Sequence, residues 1–195
     1  MRERRALETR RRITECALDL IERGGYDATT MEIIAEAAVV SPATVYRYFG
    51  TKDAIVLEAL MSTMLPLSEA FAARPASEPL AESLGAAVLA AAAAPDENAA
   101  RYLLIRSILD DAPASRARLW DYLAREEAAL TALVAARMGT DPADLEAEVT
   151  ARVAIVVWEI VTDRWRSQSG DVAPDQLAHS IFNLFAQGRV AFPSR

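Results

Sequence analysis

The chain has 195 residues, 52% hydrophobic and 25% charged, with seven glycines and a formal net charge of −7. That balance belongs to an ordinary globular protein long enough to bury a core, and it excludes a disordered or low-complexity polymer. A single cysteine, Cys16, and a single histidine, His179, exclude an internal disulfide and leave too few soft ligands for a zinc site.

The opening stretch MRERRALETRRR lacks the apolar core of a signal peptide, and no apolar run approaches the roughly 18 residues of a membrane span, so a cytoplasmic protein with no membrane partner is expected. Net acidity argues against nucleic acid as a partner, but the charge is unevenly spread. Residues 1–52 hold nine Lys or Arg against eight Asp or Glu, while the remainder holds twelve against twenty. A phosphate-binding end on an acidic body has this pattern, and so does a solvated basic N-terminus.

In chain order the periodicity is helical throughout. Ile13, Ala17, Leu20 and Ile21 give a first helix that Gly24 and Gly25 stop. Thr29 or Thr30 caps a second helix with Ile33, Ile34, Ala37 and Ala38 as its apolar positions, and Val39-Val40 leaves room only for a tight turn. Ser41 as N-cap and Pro42 at the first helical position start a third helix, SPATVYRYFG, that ends at Gly50. Thr51 caps a fourth helix from Lys52 to about Ala73, with Ile55, Ala59, Leu60 and Met64 on one face and Pro66 as a kink or an end. Ile34, Ala38, Val40 and Val45 would hold the second and third helices together as a helix-turn-helix, which sends its later helix into the DNA major groove.

The run GYDATTMEIIAEAAVVSPATVYRYFGTKDAI, Gly25 to Ile55, resembles the DNA-binding signature of the TetR family of ligand-responsive transcriptional regulators. The likeness lies in the Gly-Tyr-x-x-Thr-Thr opening, the Ser-Pro helix start, the Tyr-x-x-Phe ending and the Lys that follows. Val39 departs from it, since the family commonly has glycine in that turn. The resemblance implies that Thr44 touches base edges or phosphate, that the Tyr46 hydroxyl reaches phosphate, and that Lys52 contacts phosphate at a helix N-terminus. Arg47 can fork onto a guanine or clamp a phosphate. Thr30 has the position to bind phosphate, though an N-cap role is equally sufficient, and Ser41 and Tyr48 complete the set. Phe49 is expected to anchor the recognition helix instead.

After a boundary at RPASEP, Arg74 to Pro79, helices are expected over about 79–93, 97–110, 115–138, 142–168 and 174–189, with Asp96 and Asp141 as caps and Gly139 and Gly170 as stops. The fold class is all-α: a helix-turn-helix domain over 1–51, joined by the fourth helix to a larger helical ligand-binding and dimerisation domain over 52–195. Val149, Val153, Val156, Val157, Ile160 and Val161 give one late helix a broad apolar face, and Leu177, Ile181, Leu184 and Phe185 do the same for the last. The resemblance implies that these form half of a four-helix homodimer interface; packing within one protomer is the alternative. A dimer would read a palindromic operator, since one helix-turn-helix reads a half-site.

A small-molecule effector is expected among the middle helices. Met61, Met64, Phe71 and Tyr102 are candidate lining residues, together with Arg106, Trp120, Leu123 and Trp158. Arg106, if inward, needs a carboxylate partner, which Asp110 one turn along or an acidic ligand could supply. No nucleophile motif, phosphate-cradling glycine loop or Cys/His pair is present, so neither an enzyme nor a cofactor is expected. The reading is a repressor that binds its operator as a homodimer and is released when a ligand shifts the fourth helix; the alternative is an activator, or a DNA-binding protein controlled by a partner protein.

Overall fold

A computed structural model describes residues 2–93, 99–110, 113–167 and 171–191, and among them every regular element is a helix. The helices are α1 (Arg2–Gly24), α2 (Met31–Ala37), α3 (Pro42–Tyr48), α4 (Lys52–Thr63), α5 (Leu67–Ala72), α6 (Leu80–Ala92), α7 (Ala99–Asp110), α8 (Pro113–Met138), α9 (Leu145–Ser167) and α10 (Pro174–Ala186). They fall into two compact units, Met1–Met64 with Asn98–Asp121 and Leu65–Glu97 with Tyr122–Arg195.

The first unit has two apolar clusters. Ile13 and Ala17 of α1 pack with Met31, Ile34, Ala35, Ala38, Val45, Phe49 and Ile55, which closes α2 and α3 onto α1. Leu18 and Ile21, one turn further along α1, pack with Val56, Ala59 and Leu60 of α4 and Ile105 and Leu109 of α7. α4 therefore offers Ile55 to one cluster and its next apolar positions to the other. For that reason the packing does not break between residues 51 and 52, where the sequence suggested a boundary: α4 and α7 are built into the same unit as the helix-turn-helix.

The single helix expected over 52–73 is two. Pro66 lacks an N–H and pushes the residue before it out of helical geometry, so α4 ends at Thr63, Met64 is extended, and α5 starts after Pro66. Residues 52–72 reach the length and hydropathy of a membrane span, contrary to the sequence reading, but 47% of the 18-residue apolar window within them is buried inside the protein and the helix is broken within the stretch.

In the second unit α6 packs on α5, α9 and α10, and α9 packs on α10. α9 buries Ala147, Ala151, Ala154, Ile155, Trp158, Val161 and Trp165. The Trp158 indole N–H donates at 3.3 Å to the carbonyl of Ala91, in the last turn of α6 where intrahelical donors run out. α9 begins at Leu145, not at Asp141-Pro142. The Asp144 carboxylate accepts from the N–H groups of Glu146 and Ala147 at 2.9 and 3.1 Å, whereas Asp141 turns back to Ala143 at 2.8 Å. Gly139 ends α8 with φ +72°, as expected. Asp96, Gly170 and the side chain of Asp110 lie outside the described residues.

Candidate nucleic-acid interface

The turn between α2 and α3 is a Schellman closure. The Val40 N–H donates to Ala35 and the Val39 N–H to Glu36, each at 3.0 Å, which satisfies the last carbonyls of α2. This pattern needs a left-handed residue at its centre, and Val39 takes φ +53°. A β-branched residue there is strained, because its Cβ crowds the carbonyl; glycine would meet no such clash. At the end of α8 the same pair of bonds, Thr140 to Ala135 and Gly139 to Ala136, closes over a glycine.

α3 then leaves the turn with its start fixed by Ser41. The Ser41 hydroxyl accepts from the Thr44 N–H at 3.2 Å and lies 2.9 Å from the Thr44 hydroxyl, while Pro42 supplies the first helical φ. Val45 and Phe49 are buried at 0% and 2% exposure, so the helix is pinned from below. Tyr46 and Arg47 face solvent. The Tyr46 hydroxyl donates at 3.2 Å to the Glu32 carboxylate in the first turn of α2. That bond raises the Tyr46 pKa, and Glu32 is held below the usual carboxylate range by its own backbone N–H first, then by the Thr30 and Tyr46 hydroxyls. Thr30 is the N-cap of α2, its hydroxyl accepting from the Ile33 N–H at 3.3 Å, and it is exposed beside Glu32.

Two expected contacts are placed differently. Tyr48 is half-buried and packs against the α1–α3 core, with the Arg47 guanidinium 5.5 Å from its ring. Lys52 has its ammonium occupied: it donates to the carbonyls of Tyr26 and, at 2.7 Å, Thr29, and stands 3.8 Å from the centroid of the Tyr26 ring. The Tyr26 hydroxyl in turn donates to Asp53, and burial first, then that hydrogen bond, pushes its pKa far up, so the phenol stays protonated. Lys52 thus ties the start of α4 to the loop before α2, with one of its three N–H groups left to point elsewhere.

The expected effector residues divide between the units. Met61, Met64, Tyr102 and Arg106 are half-buried on α4 and α7 of the first, and Met64 and Tyr102 pack on the cluster those helices share with α1. Trp120, also in the first unit, is 69% exposed. In the second, Phe71 is fully buried beneath the Arg137 guanidinium at 4.8 Å, Trp158 is bonded into the α6–α9 packing, and Leu123 is half-buried.

Among the expected interface residues, Val153, Ile160 and Leu184 are exposed, and Ile181 and Phe185 are half-buried. Val157 and Val161 are 4% and 0% exposed, because they turn inward with Trp158, so their surface is already used within the protomer. Sequence reasoning left out Leu145, the end member of an exposed apolar stripe on α9, with Val149, Val153, Val156 and Ile160 following at three- and four-residue spacing. It also missed a cleft of about 830 Å³ between α6, α9 and α10, lined by Leu84, Gly85, Val88, Val149, Val153 and Phe182 among others. Gly85 was the available signal: within an alanine-rich helix, it is the residue where an added Cβ would stand 3.9 Å from the Phe182 ring.

Residues 13–59 match the family described as bacterial regulatory proteins, tetR family. The chain is 28% identical over 170 residues to the HTH-type transcriptional regulator TcmR of Streptomyces glaucescens, covering 83% of this chain and 73% of that one. It is 43% identical over 53 residues to the HTH-type transcriptional repressor KstR of Rhodococcus jostii, where the match spans 27% of this chain and only 25% of the relative. NalD of Pseudomonas aeruginosa, the secondary repressor of the MexAB-OprM multidrug efflux pump, shares the fold with a TM-score of 0.62 at 20% identity, over 95% of this chain and 97% of that one. Thermus thermophilus FadR, a TetR-family repressor solved with lauroyl-CoA, superposes with a TM-score of 0.60 at 20% identity over the same shares. Residues 13–59 thus match the DNA-binding region of the TetR family, and the chain shares the fold of solved members of that family.

Proposed function

We propose that this regulator is a repressor that grips duplex DNA through α3 and the capped starts of α2 and α3, as a homodimer on a palindromic operator. The observation that carries it is the two-sidedness of α3: Val45 and the following Phe49 are buried, while Tyr46 and Arg47 stand exposed beside the hydroxyls of Thr30, Ser41 and Thr44. Hydroxyls and an arginine can each donate to phosphate oxygens, and a guanidinium can fork onto guanine. Exposed Arg4, Arg5, Arg11 and Arg12 on α1 add positive charge at the same end of the chain. Lys52 serves first as a clamp, with its remaining N–H able to reach a phosphate.

The exposed stripe on α9, with Leu184 on α10, is the face for the second copy. It is apolar over several turns, and the cleft shares Val149 and Val153 with it, so one partner helix could cover both. A small-molecule effector would act in the cytoplasm through α4 and α7, where Met61, Met64, Tyr102 and Arg106 are half-buried. Release requires that the effector bind the non-DNA conformation more tightly.

Selection of preferred sequences from a random duplex pool tests the reading: recovery of an inverted repeat supports it, and recovery of no repeat counts against the dimeric repressor. Affinity for the selected duplex should fall steeply with salt. Lys52→Ala lowers the slope of log affinity against log salt by about one if its free N–H holds a phosphate, and an unchanged slope leaves it as a clamp alone.

A further inference from the structure

Arg10, in the middle of α1, reaches two other elements at once. Its Nε and Nη2 donate to the two carboxylate oxygens of Glu58 on α4 at 2.6 and 3.0 Å. Nη1 points to the Tyr48 carbonyl at 3.5 Å, an acceptor at the last residue of α3 that has no intrahelical donor left. The guanidinium carbon lies 4.6 Å from the centroid of the Phe49 ring, the aromatic that fixes α3 to the core. A planar bidentate fork defines direction as well as distance, which a lysine could not do. The hydrogen bond that Arg10 donates to Glu58, opposed by desolvation, raises the Arg10 pKa.

We propose that Arg10 and Glu58 are a positioning pair for the recognition helix: they set the C-terminal end of α3 against α4, so that sequence-specific affinity depends on an ion pair that touches no DNA. Any displacement of α4 at Glu58 is then handed to Tyr48 and Phe49 through one side chain. The proposal rests on the reading of α3 as the recognition helix. Arg10 also sits within a basic run, Arg10-Arg11-Arg12, and a direct phosphate contact is the competing role. Geometry disfavours that role, because both Glu58 oxygens already neutralise the guanidinium.

The two roles predict opposite signs for one substitution. With a duplex selected by the unsubstituted chain as probe, Glu58→Gln is expected to bind roughly tenfold more weakly, with an unchanged slope of log affinity against log salt. Binding to random-sequence duplex, which depends on phosphate charge alone, should stay the same; a general loss of folding would lower both. If Arg10 contacts phosphate, Glu58→Gln frees a cation, so binding tightens and the slope steepens, which overturns the proposal. Arg10→Lys, which keeps the positive charge but cannot fork onto Glu58 and reach the Tyr48 carbonyl together, should lower the specific affinity in the same way. Specific affinity unchanged in Arg10→Lys, in a protein whose circular dichroism shows the native helix content, also overturns it. If the unsubstituted chain binds no duplex at all, the recognition-helix reading falls together with the pair; if it binds and Glu58→Gln binds equally well, the pair alone falls.

Discussion

On α3 the exposed side carries Tyr46 and Arg47 above a buried Val45 and Phe49, and the hydroxyls around it already hold one another or a helix end. On α9 the arrangement is reversed: Leu145, Val149, Val153, Val156 and Ile160 stand in solvent, while one polar cluster of the second unit lies around the start of α6. There Arg74 pairs with Glu78, Ser83 donates to Glu78 at 2.6 Å, and Arg137 donates to Ser83 at 3.0 Å and to the carbonyls of Pro75 and Arg74. A polar outer face with local partners can exchange them for phosphates at small net cost, because one hydrogen bond replaces another. An apolar outer face gains only from another apolar surface. On the proposed reading, the polar face meets nucleic acid and the apolar one a second copy of the chain.

The largest expected effect follows from the second half of that comparison. Ile160→Glu places a carboxylate in the proposed interface of both copies at once, since a two-fold interface repeats every residue. Ile160 is 40% exposed, so losing its interface burial costs about 0.6–1.2 kcal/mol in each copy, before the larger cost of burying two carboxylates is counted. Light scattering should read the mass of a dimer for the unsubstituted chain and half of it for the variant. A wild-type mass of one chain would break the comparison, leaving the stripe uncovered.

Next in size is the anchor beneath the polar face. Phe49→Ala removes a ring that is 2% exposed and should cost about 3–5 kcal/mol in urea unfolding. Trp120→Ala, at 69% exposure, should change stability by less than about 0.5 kcal/mol despite deleting the larger side chain. Equal losses for the two would mean that burial within the first unit does not rank these aromatics.

What the sequence made legible tracks how local the cause is. Ser41-Pro42, Thr51 and Gly139 act through bonds to residues three to five positions away, and each marks a helix end where it was expected. Phe49 as anchor, with Tyr46 and Arg47 outside, followed from the period of one short helix. Tyr48 and Lys52 were less legible because their surroundings are assembled from distant segments, the α1 core for one and the loop at Tyr26 and Thr29 for the other. On α9 nearly every apolar position passes the same periodicity test, and only the packed unit separates Val157 and Val161, which are buried, from Val153 and Ile160, which are not. Trp120 failed for the same reason: an aromatic in a helix carries no sign of which way it faces.

Val39 sharpens the comparison within the polar face. Left-handed geometry costs a non-glycine residue about 1–2 kcal/mol, and glycine returns about 0.5–1 of that through the entropy of the unfolded chain. Val39→Gly should therefore raise stability by up to about 1.5 kcal/mol, and Gly139→Val at the matching turn of α8 should lower it. If Val39→Gly stabilises the fold but weakens DNA binding, the strained turn contributes to the placement of α3. If both are unchanged, the turn relaxes around valine at no cost.

The smallest effect is expected in the polar corner of the second unit, and it depends on pH. Hydrogen bonds from Arg74 first, then Ser83, hold the Glu78 carboxyl at about 2, below its ordinary 4.5. A carboxylate with a depressed folded-state pKa adds stability above its unfolded value and loses it as pH falls through the folded one. The Glu78 contribution should thus be complete near neutral pH, decline below about 4.5 and be gone near about 2. Glu78→Gln should melt slightly lower than the unsubstituted chain near neutral pH, with the gap closing over that window. The gap stays small because the pair is partly hydrated and water screens it. Salt should narrow it further at neutral pH, because screening acts on the ion pair. A gap that persisted at the acid end would assign Glu78 a packing role and remove the electrostatic half of the contrast between the two units.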